Sequence, residues 1–200
     1  MARIGIVYHT MYGSTFDLAG EIAEGIRAAG GTPELRRVKE LLPQEIIEAQ
    51  GLQDTVARQA DVPEAQVDEL PAFDGILFGS GTRFGNRTAQ LSNFLDQTGP
   101  LWASGALVGK PAGFFTGAAT MHGGHESTIL TMSTFAYHHG MLIVPLGYTD
   151  PGVGATQTGG GPYGPSHLAR EGVTGLPDEE RDLARHYGRM FHGIAARLAG

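Results

Sequence analysis

The chain has 200 residues, a formal net charge of −7 and no cysteine. Its length is that of one ordinary domain, and 41% hydrophobic with 18% charged residues is a globular composition. The lack of cysteine excludes disulfides and thiolate metal sites, and the negative charge argues against a general nucleic-acid binder. No stretch has the length and apolarity of a signal peptide or of a membrane span, so we expect a cytoplasmic protein.

The first third of the chain alternates apolar runs with one amphipathic segment. Residues 3–8 form a short β-branched and aromatic run, which predicts a strand. A helix follows, capped by Ser14 or Thr15 and ended by a pair of glycines. Residues 32–38 predict a second strand. Residues 39–72 are polar and broken by prolines, and we expect them to form a connection with one or two short helices.

The rest of the chain repeats this alternation. Strands are predicted at residues 74–80, 112–116 and 141–146, and helices at residues 88–97 and 125–139. Residues 148–176 are rich in glycine and proline, and structureless loops of that length are usually functional or disordered. A last helix begins near Pro177 and turns one apolar face inward. That face comprises Leu183, Tyr187, Met190, Ile194 and Leu198.

This order of elements predicts a single α/β domain over residues 1–200. Strands that alternate with helices form a parallel sheet, here of five strands, with helices on both faces. Residues 39–72 are then an insert and residues 148–176 a long loop. Ligands of such sheets bind beyond the carboxyl ends of the strands. We therefore expect three loops rich in Gly, Thr and Ser to meet there, at residues 10–15, 80–88 and 116–124.

The first of these loops has the chemistry of a phosphate site. The hydroxyls of Thr10, Ser14 and Thr15, the small Gly13 and the N–H groups of a helix start can converge on one anion. The absence of G-x-x-x-x-G-K-[ST] argues against a nucleoside-triphosphate loop, and the absence of G-x-G-x-x-G argues against a dinucleotide. The loop predicts a mononucleotide phosphate site; the alternative is a turn that only caps a helix.

The other two loops can hold a flat heterocycle. Thr82, Arg83, Phe84 and Gly85 offer backbone amides, a cation and an aromatic face, although Arg83 could equally be a surface arginine. The third loop could wrap the ring and its side chain, or could be a flexible surface loop. Its candidate residues are Thr116, Gly117, Ala118, Ala119, Thr120 and Met121.

Two histidine pairs stand out in the second half of the chain. His122 and His125 have ligand-like spacing, but Glu126 is the only carboxylate beside them, so we expect no metal site. His138 and His139 lie at a predicted helix end, where a histidine often only complements the helix dipole.

Motifs along nearly the whole chain carry a family resemblance. Residues 10–15, Thr-Met-Tyr-Gly-Ser-Thr, are similar to the FMN-phosphate loop of flavodoxins. The more specific segments are Gly-Thr-Arg-Phe-Gly-Asn at residues 81–86, Phe-Leu-Asp-Gln-Thr-Gly at 94–99 and Leu-Trp-Ala-Ser-Gly-Ala-Leu at 101–107. His-His-Gly-Met at 138–141 and Gly-Gly-Pro-Tyr-Gly at 160–164 join them. Together they resemble the WrbA family of flavodoxin-like NAD(P)H:quinone oxidoreductases.

This resemblance implies an FMN-dependent enzyme with a flavodoxin-like fold, usually a homotetramer. Position by position, the phosphate would lie on Thr10, Met11, Tyr12, Gly13, Ser14 and Thr15. The ribityl chain and ring would lie on Thr82, Arg83, Phe84, Gly85 and residues 116–121. His138 would lie over the flavin and is the one candidate for a catalytic residue. Tyr12 would contact the nicotinamide nucleotide and Trp102 the quinone.

The implied reaction is the two-electron reduction of a quinone by NADH or NADPH through FMN, with ping-pong kinetics. The sequence leaves two alternatives open. One is a flavodoxin-type electron carrier, although residues 39–72 and 148–176 exceed what a minimal carrier needs. The other is a regulatory protein that binds flavin without turnover.

Overall fold

A parallel β-sheet at the centre of the molecule organises the fold. The computed structural model describes residues 1–170 and 175–200. The strands are β1 (Arg3–His9), β2 (Thr32–Arg37), β3 (Gly75–Gly81), β4 (Pro111–Ala118) and β5 (Leu142–Ile143), in the order β2-β1-β3-β4-β5. Every pair of neighbours is parallel. The predicted five-stranded parallel sheet is therefore confirmed.

A further short strand, β6 (Ser166–Leu168), shares the edge position of β5. β5 pairs with the first residues of β4, whereas β6 pairs with its last three, from Thr116 to Ala118. The edge strand is thus made of two pieces that residues 144–165 separate. The sequence predicted one continuous strand over residues 141–146 and left β6 within the loop at 148–176. Residues 171–174 of that predicted loop lie outside the described residues.

Helices cover both faces of the sheet. Those in the described ranges are α1 (Ser14–Ala28), α2 (Gln44–Ala49), α3 (Gln53–Arg58), α4 (Ala89–Asp96), α5 (Gly99–Ser104), α6 (His125–His138), α7 (Gly152–Ala155) and α8 (Asp178–Ala199), with a 3₁₀ turn at Val67–Ala72. The insert predicted at residues 39–72 contains α2, α3 and this turn. The sequence missed α5 and α7, which are only six and four residues long.

Alternating side chains of β1 pack into two separate hydrophobic cores, one on each face of the sheet. Ile4, Ile6 and Tyr8 pack with α1 and α8 on one face of the sheet. Val7 packs with α4 and α6 on the other face. Successive side chains of a strand point to opposite faces, so a central strand must be apolar at every position. This explains the unbroken apolar run that predicted β1.

The buried face of α8 is centred on its contact with α1. A Cβ on Gly188 would lie 2.2 Å from the carbonyl oxygen of Ile22, so the two helices touch backbone to backbone. Leu183 and Tyr187 are buried as predicted, but Leu198 is 52% exposed and was wrongly assigned to the inner face. The buried face of α8 instead includes Gly188 and Phe191, which is fully buried.

Candidate functional site

The carboxyl ends of β1, β3, β4 and β6 meet at one edge of the sheet and frame a cleft. Ser80 of β3 lies between His9 of β1 and Thr116 of β4, and Gly117 of β4 pairs with His167 of β6. The cleft has a volume of about 170 Å³. The predicted site residues that line it are Thr10, Met11, Tyr12, Ser14, Thr15, Thr82, Arg83, Gly117, Ala118 and Ala119. The three loops that the sequence placed at this edge therefore do meet there.

The first loop turns sharply into α1 at Gly13. This glycine has a φ of 94°, in the left-handed region that favours glycine, and its N–H donates to Thr10 Oγ1 at 3.0 Å. In the described part of the chain no side chain caps α1. The N–H groups of its first turn, at the positive end of the helix dipole, remain available to an anion. The hydroxyls of Ser14 and Thr15 belong to the same turn.

The second loop is a tight turn with Phe84 at its tip. Arg83 and Asn86 exchange two backbone hydrogen bonds of 2.7 and 3.0 Å. Phe84 has a φ of 53° and a fully exposed side chain. A bulky residue in the left-handed region is strained, and an exposed phenyl ring is poorly solvated. Phe84 and Gly85 thus extend beyond the lining of the cleft, where a bound ring or a second chain could cover the phenyl group.

Thr82 and Arg83 connect the second loop to its neighbours. The N–H of Thr82 donates to the carbonyl of Gly117 at 2.9 Å, and its Oγ1 accepts a hydrogen bond of 2.8 Å from the hydroxyl of Thr128. Arg83 Nη2 contacts the sulfur of Met11 across the cleft. The three loops are therefore held against one another rather than free to move separately, and a guanidinium lies at the cleft wall.

The third loop begins inside β4, so part of the predicted segment has a structural role. Thr116 is fully buried and its hydroxyl donates to the carbonyl of Ser80 at 2.7 Å. Residues 117–119 do line the cleft. Thr120 and Met121 are exposed and lie outside the lining. The part of the predicted segment that faces the cleft is thus shorter than the sequence suggested.

Small residues allow the walls of the cleft to lie close to one another. A Cβ on Gly117 would lie 3.4 Å from Ser14 Oγ, so a single added carbon would already reach van der Waals contact with the first loop. Gly81 and Thr88, from β3 and the start of α4, complete the lining together with Ala169 after β6. The sequence predicted Gly81 and Thr88 only as part of the loop at residues 80–88, and it did not predict Ala169, which stands in no recognisable motif.

His138 and Trp102 do not reach this cleft within one chain. α6 begins near the cleft at His125 and ends at His138, roughly 20 Å further along its axis at 1.5 Å per residue. Trp102 is 60% exposed on α5, which precedes the amino end of β4. A hydrogen bond of 3.0 Å between Thr98 Oγ1 and His139 Nε2 ties the start of α5 to the end of α6. Both residues therefore share the opposite end of the molecule.

The first histidine pair has a structural contact. His125 is buried and its Nε2 lies 3.2 Å from the carbonyl oxygen of Thr120, while burial lowers the pKa of its imidazole. No group of three or more histidine and acidic side chains that could hold a metal ion occurs within residues 1–170 and 175–200.

Arg58 and His167 flank the first loop from outside, and no pattern in the sequence predicted either residue. They line a second cavity together with Tyr12, Ser14 and Asp17. Arg58 lies in the insert and His167 in the glycine-rich segment. Neither region has a strand or helix pattern strong enough to show where its side chains would point, so no local signal could have found them.

These features fit a flavin mononucleotide. The uncapped start of α1, with the Ser14 and Thr15 hydroxyls and the left-handed Gly13, offers a set of donors suited to a phosphate. The adjoining wall at residues 117–119 is small and apolar, and Thr82 and Arg83 face it. A flat ring with polar edges needs this combination of an apolar wall and edge donors.

Comparison with known proteins identifies the family. Residues 9–150 match the family described as NADPH-dependent FMN reductase. A protein of Geobacter sulfurreducens named NAD(P)H dehydrogenase (quinone) is 48% identical over 200 residues, which are 98% of this chain and 98% of that protein. A protein of the same name from Geobacter metallireducens is 45% identical over 202 residues, which are 99% of this chain and 100% of its own.

Solved structures agree with the fold. A flavodoxin, WrbA-like protein from Agrobacterium tumefaciens superimposes with a TM-score of 0.68 at 25% identity, over 98% of this chain and 99% of that one. A flavodoxin from the domain Archaea has a TM-score of 0.60 at 16% identity, over 99% of both chains. The fold is thus flavodoxin-like, and the chain belongs to the NADPH-dependent FMN reductase family.

Proposed function

We propose that this chain is an FMN-dependent NAD(P)H:quinone oxidoreductase that reduces quinones by two electrons. The observation that carries the proposal is the cleft itself, where the uncapped start of α1 faces the ends of β3 and β4. The names of the Geobacter relatives support the choice of substrates, since they share 45–48% of their residues with this chain over its full length.

In this proposal the first loop binds the phosphate of FMN. The N–H groups of the first turn of α1 and the hydroxyls of Ser14 and Thr15 donate to the phosphate oxygens. Residues 117–119 pack against the ring, and Arg83 lies where it can stabilise negative charge on it. Because these donors are held in place before the ligand arrives, they lose little conformational entropy when it binds.

FMN, when bound, would accept a hydride from the reduced nicotinamide and return two electrons to a quinone. The residues of the chain position the reactants. Tyr12 is 66% exposed at the rim of the cleft, where it would contact the nicotinamide nucleotide. In this proposal both substrates reach the flavin through the same opening, so the oxidised nucleotide must leave before the quinone enters.

Steady-state kinetics test this proposal. Purified protein loaded with FMN should oxidise NADH or NADPH with benzoquinone as acceptor, and double-reciprocal plots at several quinone concentrations should be parallel. Protein that binds FMN yet gives no quinone-dependent oxidation would instead be an electron carrier or a flavin-binding regulator. Protein that binds no FMN would contradict the proposal as a whole.

The working unit in this proposal is a homotetramer. Trp102 and His138 can act on a flavin only if a second copy brings its opposite end to the cleft, and both lie at that end. Large aromatic side chains exposed on the described surface support such contacts; they include Phe84, Trp102, Tyr137 and Tyr148. Sedimentation equilibrium should return four times the mass of 21.1 kDa, and a monomer mass would contradict this part of the proposal.

The location of the protein is also a proposal. No helix in the described ranges combines the length and the apolarity needed to cross a bilayer. We propose a cytoplasmic location, where reduced nicotinamide nucleotides are supplied, and cell fractionation with an antibody against the chain tests it.

A further inference from the structure

A buried histidine–glutamate pair beside the first loop has been given no role so far. His167 in β6 is 4% exposed and Glu180 in the first turn of α8 is 1% exposed. Nδ1 of His167 lies 2.5 Å from Oε2 of Glu180. Two ionisable side chains are rarely buried together unless they are paired and fully hydrogen-bonded, because desolvating each of them is costly.

The contacts of Glu180 define the state of this pair. Its other oxygen, Oε1, accepts hydrogen bonds from Thr158 Oγ1 at 2.7 Å, Gly159 N at 2.7 Å and Leu168 N at 3.1 Å. Burial alone would raise the pKa of Glu180, but the hydrogen bonds from His167, Thr158 and Leu168 outweigh it and lower this pKa. An ionised carboxylate only accepts, so Nδ1 of His167 carries a hydrogen and donates to it.

The side chain of His167 lies beside the first loop. His167 pairs in register with Gly117, so their side-chain directions point to the same face of the sheet. A Cβ on Gly117 would lie 3.8 Å from His167 Cβ and 3.4 Å from Ser14 Oγ. His167 and Ser14 line the same cavity, together with Tyr12. Among the described residues, Nε2 has no hydrogen-bond partner.

The guanidinium of Arg58 also borders this cavity. Arg58 Nη1 is 2.9 Å from the position of a Cβ on Gly13, and its Cζ lies 5.6 Å from the centre of the Phe16 ring. Arg58 also pairs with Asp17, which offsets part of its charge. His125 is a further ionisable group near the pair, and it interacts electrostatically with both Glu180 and His167, although burial lowers its own pKa. An anion on the first loop would thus face Arg58 on one side and His167 on another.

We propose that His167, positioned by Glu180, is a ligand of the 5′-phosphate of the flavin. Residues 10–15 contain no lysine or arginine, so they offer a phosphate dianion only neutral donors. In this proposal both ring nitrogens of His167 carry a hydrogen when the phosphate is bound, so that Nδ1–H donates to Glu180 and Nε2–H donates to a phosphate oxygen. A hydrogen bond between charged groups is stronger than one between neutral groups. The inference rests on the proposed function, because it requires FMN to bind on this loop.

Comparison of two flavins isolates the phosphate. Riboflavin has the ring and ribityl chain of FMN without the phosphate, so the ratio of its dissociation constant to that of FMN measures what the phosphate contributes. Quenching of flavin fluorescence gives both constants for the apoprotein. His167→Gln should weaken FMN binding by roughly tenfold to a hundredfold and leave riboflavin binding unchanged. The ratio of the two dissociation constants should therefore fall in His167→Gln. Glu180→Gln keeps the shape of the side chain and should lower this ratio by a smaller factor.

Two further variants separate charge from structure. His167→Lys restores a cation and should recover part of the FMN preference that His167→Gln loses. His186→Gln makes the same chemical change on α8, where the ring contacts Thr149 at 2.9 Å, and should alter neither constant. If His167→Gln weakens both flavins equally and lowers the melting temperature, His167 only supports the fold and the inference is wrong.

The coenzyme provides a competing source of phosphate. If His167→Gln leaves the flavin ratio intact but changes the KM for NADPH relative to NADH, the cavity binds the nicotinamide nucleotide and the inference is overturned. The same titration distinguishes failure of the proposed function from failure of the inference about His167. Wild-type protein that binds no FMN contradicts the proposed function, whereas wild-type binding with an unchanged ratio in His167→Gln contradicts only this inference.

Discussion

Gly124 and Gly85 touch backbone to backbone: a Cβ on Gly124 would lie 2.8 Å from the Cα of Gly85. Gly124 immediately precedes α6 and has a φ of 103°, so it is suited to glycine in conformation as well as in size. The contact fixes the second loop against the third at the mouth of the cleft. The position of the proposed flavin ring therefore depends on a residue that has no side chain.

Replacing Gly124 should damage both the fold and the cleft. We expect Gly124→Ala to lower the free energy of unfolding by about 1–3 kcal/mol, because it adds a clash and a strained φ. FMN should also bind more weakly, since the second loop is displaced. Gly193→Ala is the matched control, as it lies in α8 with nothing within 4 Å of the added carbon, and it should stabilise by about 0.5–1 kcal/mol. Urea unfolding and FMN titration measure both effects; equal stability in the two variants would disprove the role of the contact.

The hydroxyl of Ser14 tests the phosphate assignment in the first loop. Ser14→Ala removes one donor, and we expect FMN to bind about tenfold more weakly while riboflavin binding is unaffected. Ser104→Ala serves as the control, because that hydroxyl bonds only to carbonyl groups of its own helix, α5. Equal weakening of both flavins by Ser14→Ala would place the phosphate elsewhere.

Phe84 combines a strained backbone with an exposed ring. Its replacement by glycine should therefore affect the stability of the apoprotein and the binding of FMN or of other subunits in opposite directions. Phe84→Gly relieves the positive φ, so the free apoprotein should be at least as stable as wild type in urea unfolding. FMN affinity or tetramer formation should fall, because the ring that covers the cleft or a neighbour is lost. A loss of apoprotein stability, with assembly and FMN affinity unchanged, would show that the ring serves the fold of its own chain.

Mixed oligomers test whether Trp102 acts on a neighbouring subunit. Trp102→Ala should raise the KM for the quinone, while Gly13→Asp should abolish FMN binding because it puts a strained side chain and a like charge at the phosphate loop. Coexpression of the two variants should restore part of the quinone reductase activity, since each supplies what the other lacks. Activity no greater than the sum of the separate variants would place Trp102 in its own chain's site or outside any site.

Glu40 should make the fold less stable at acid pH. Its carboxylate accepts hydrogen bonds from His9 Nε2 at 2.9 Å and from Gln90 Nε2 at 2.6 Å, and so ties the end of β1 to the insert. Burial raises the pKa of Glu40, but the bonds from His9, the N–H of Leu42 and Gln90 outweigh it and lower the pKa to about 2. The folded value lies below the unfolded value of about 4.3, so the ionised carboxylate stabilises the fold above that pH.

This stabilisation should disappear as the pH falls from about 5 through about 2, the folded pKa. We expect Glu40→Gln to lower the free energy of unfolding at pH 7 by about 1–3 kcal/mol, and the difference from wild type to shrink toward pH 2. Glu45→Gln, an exposed acid on α2, should show little difference at any pH. A difference between wild type and Glu40→Gln that is constant from pH 7 to pH 2.5 would contradict the predicted titration.

Local pattern was sufficient for the central strands and long helices. The apolar run at the start of the chain predicted β1 because both of its faces are buried, and helical spacing predicted α1, α6 and α8. The same logic failed at the edge strand. The pairing of β4 with only two residues of β5 and then with β6 depends on contacts between segments far apart in sequence, and a three-residue strand has no period to detect.

The sequence by itself determined the class of fold, the loop with the chemistry of a phosphate site and the family that the motifs resemble. Each of these depends on residues that are close together along the chain. Only the tertiary structure decided which candidates meet. It brought Thr10, Thr82 and Gly117 to one cleft, since parallel strands end at the same edge, and it put His138 and Trp102 at the other end, since α6 runs back along the sheet. It also joined His167 to Glu180, which no spacing in the sequence could have predicted.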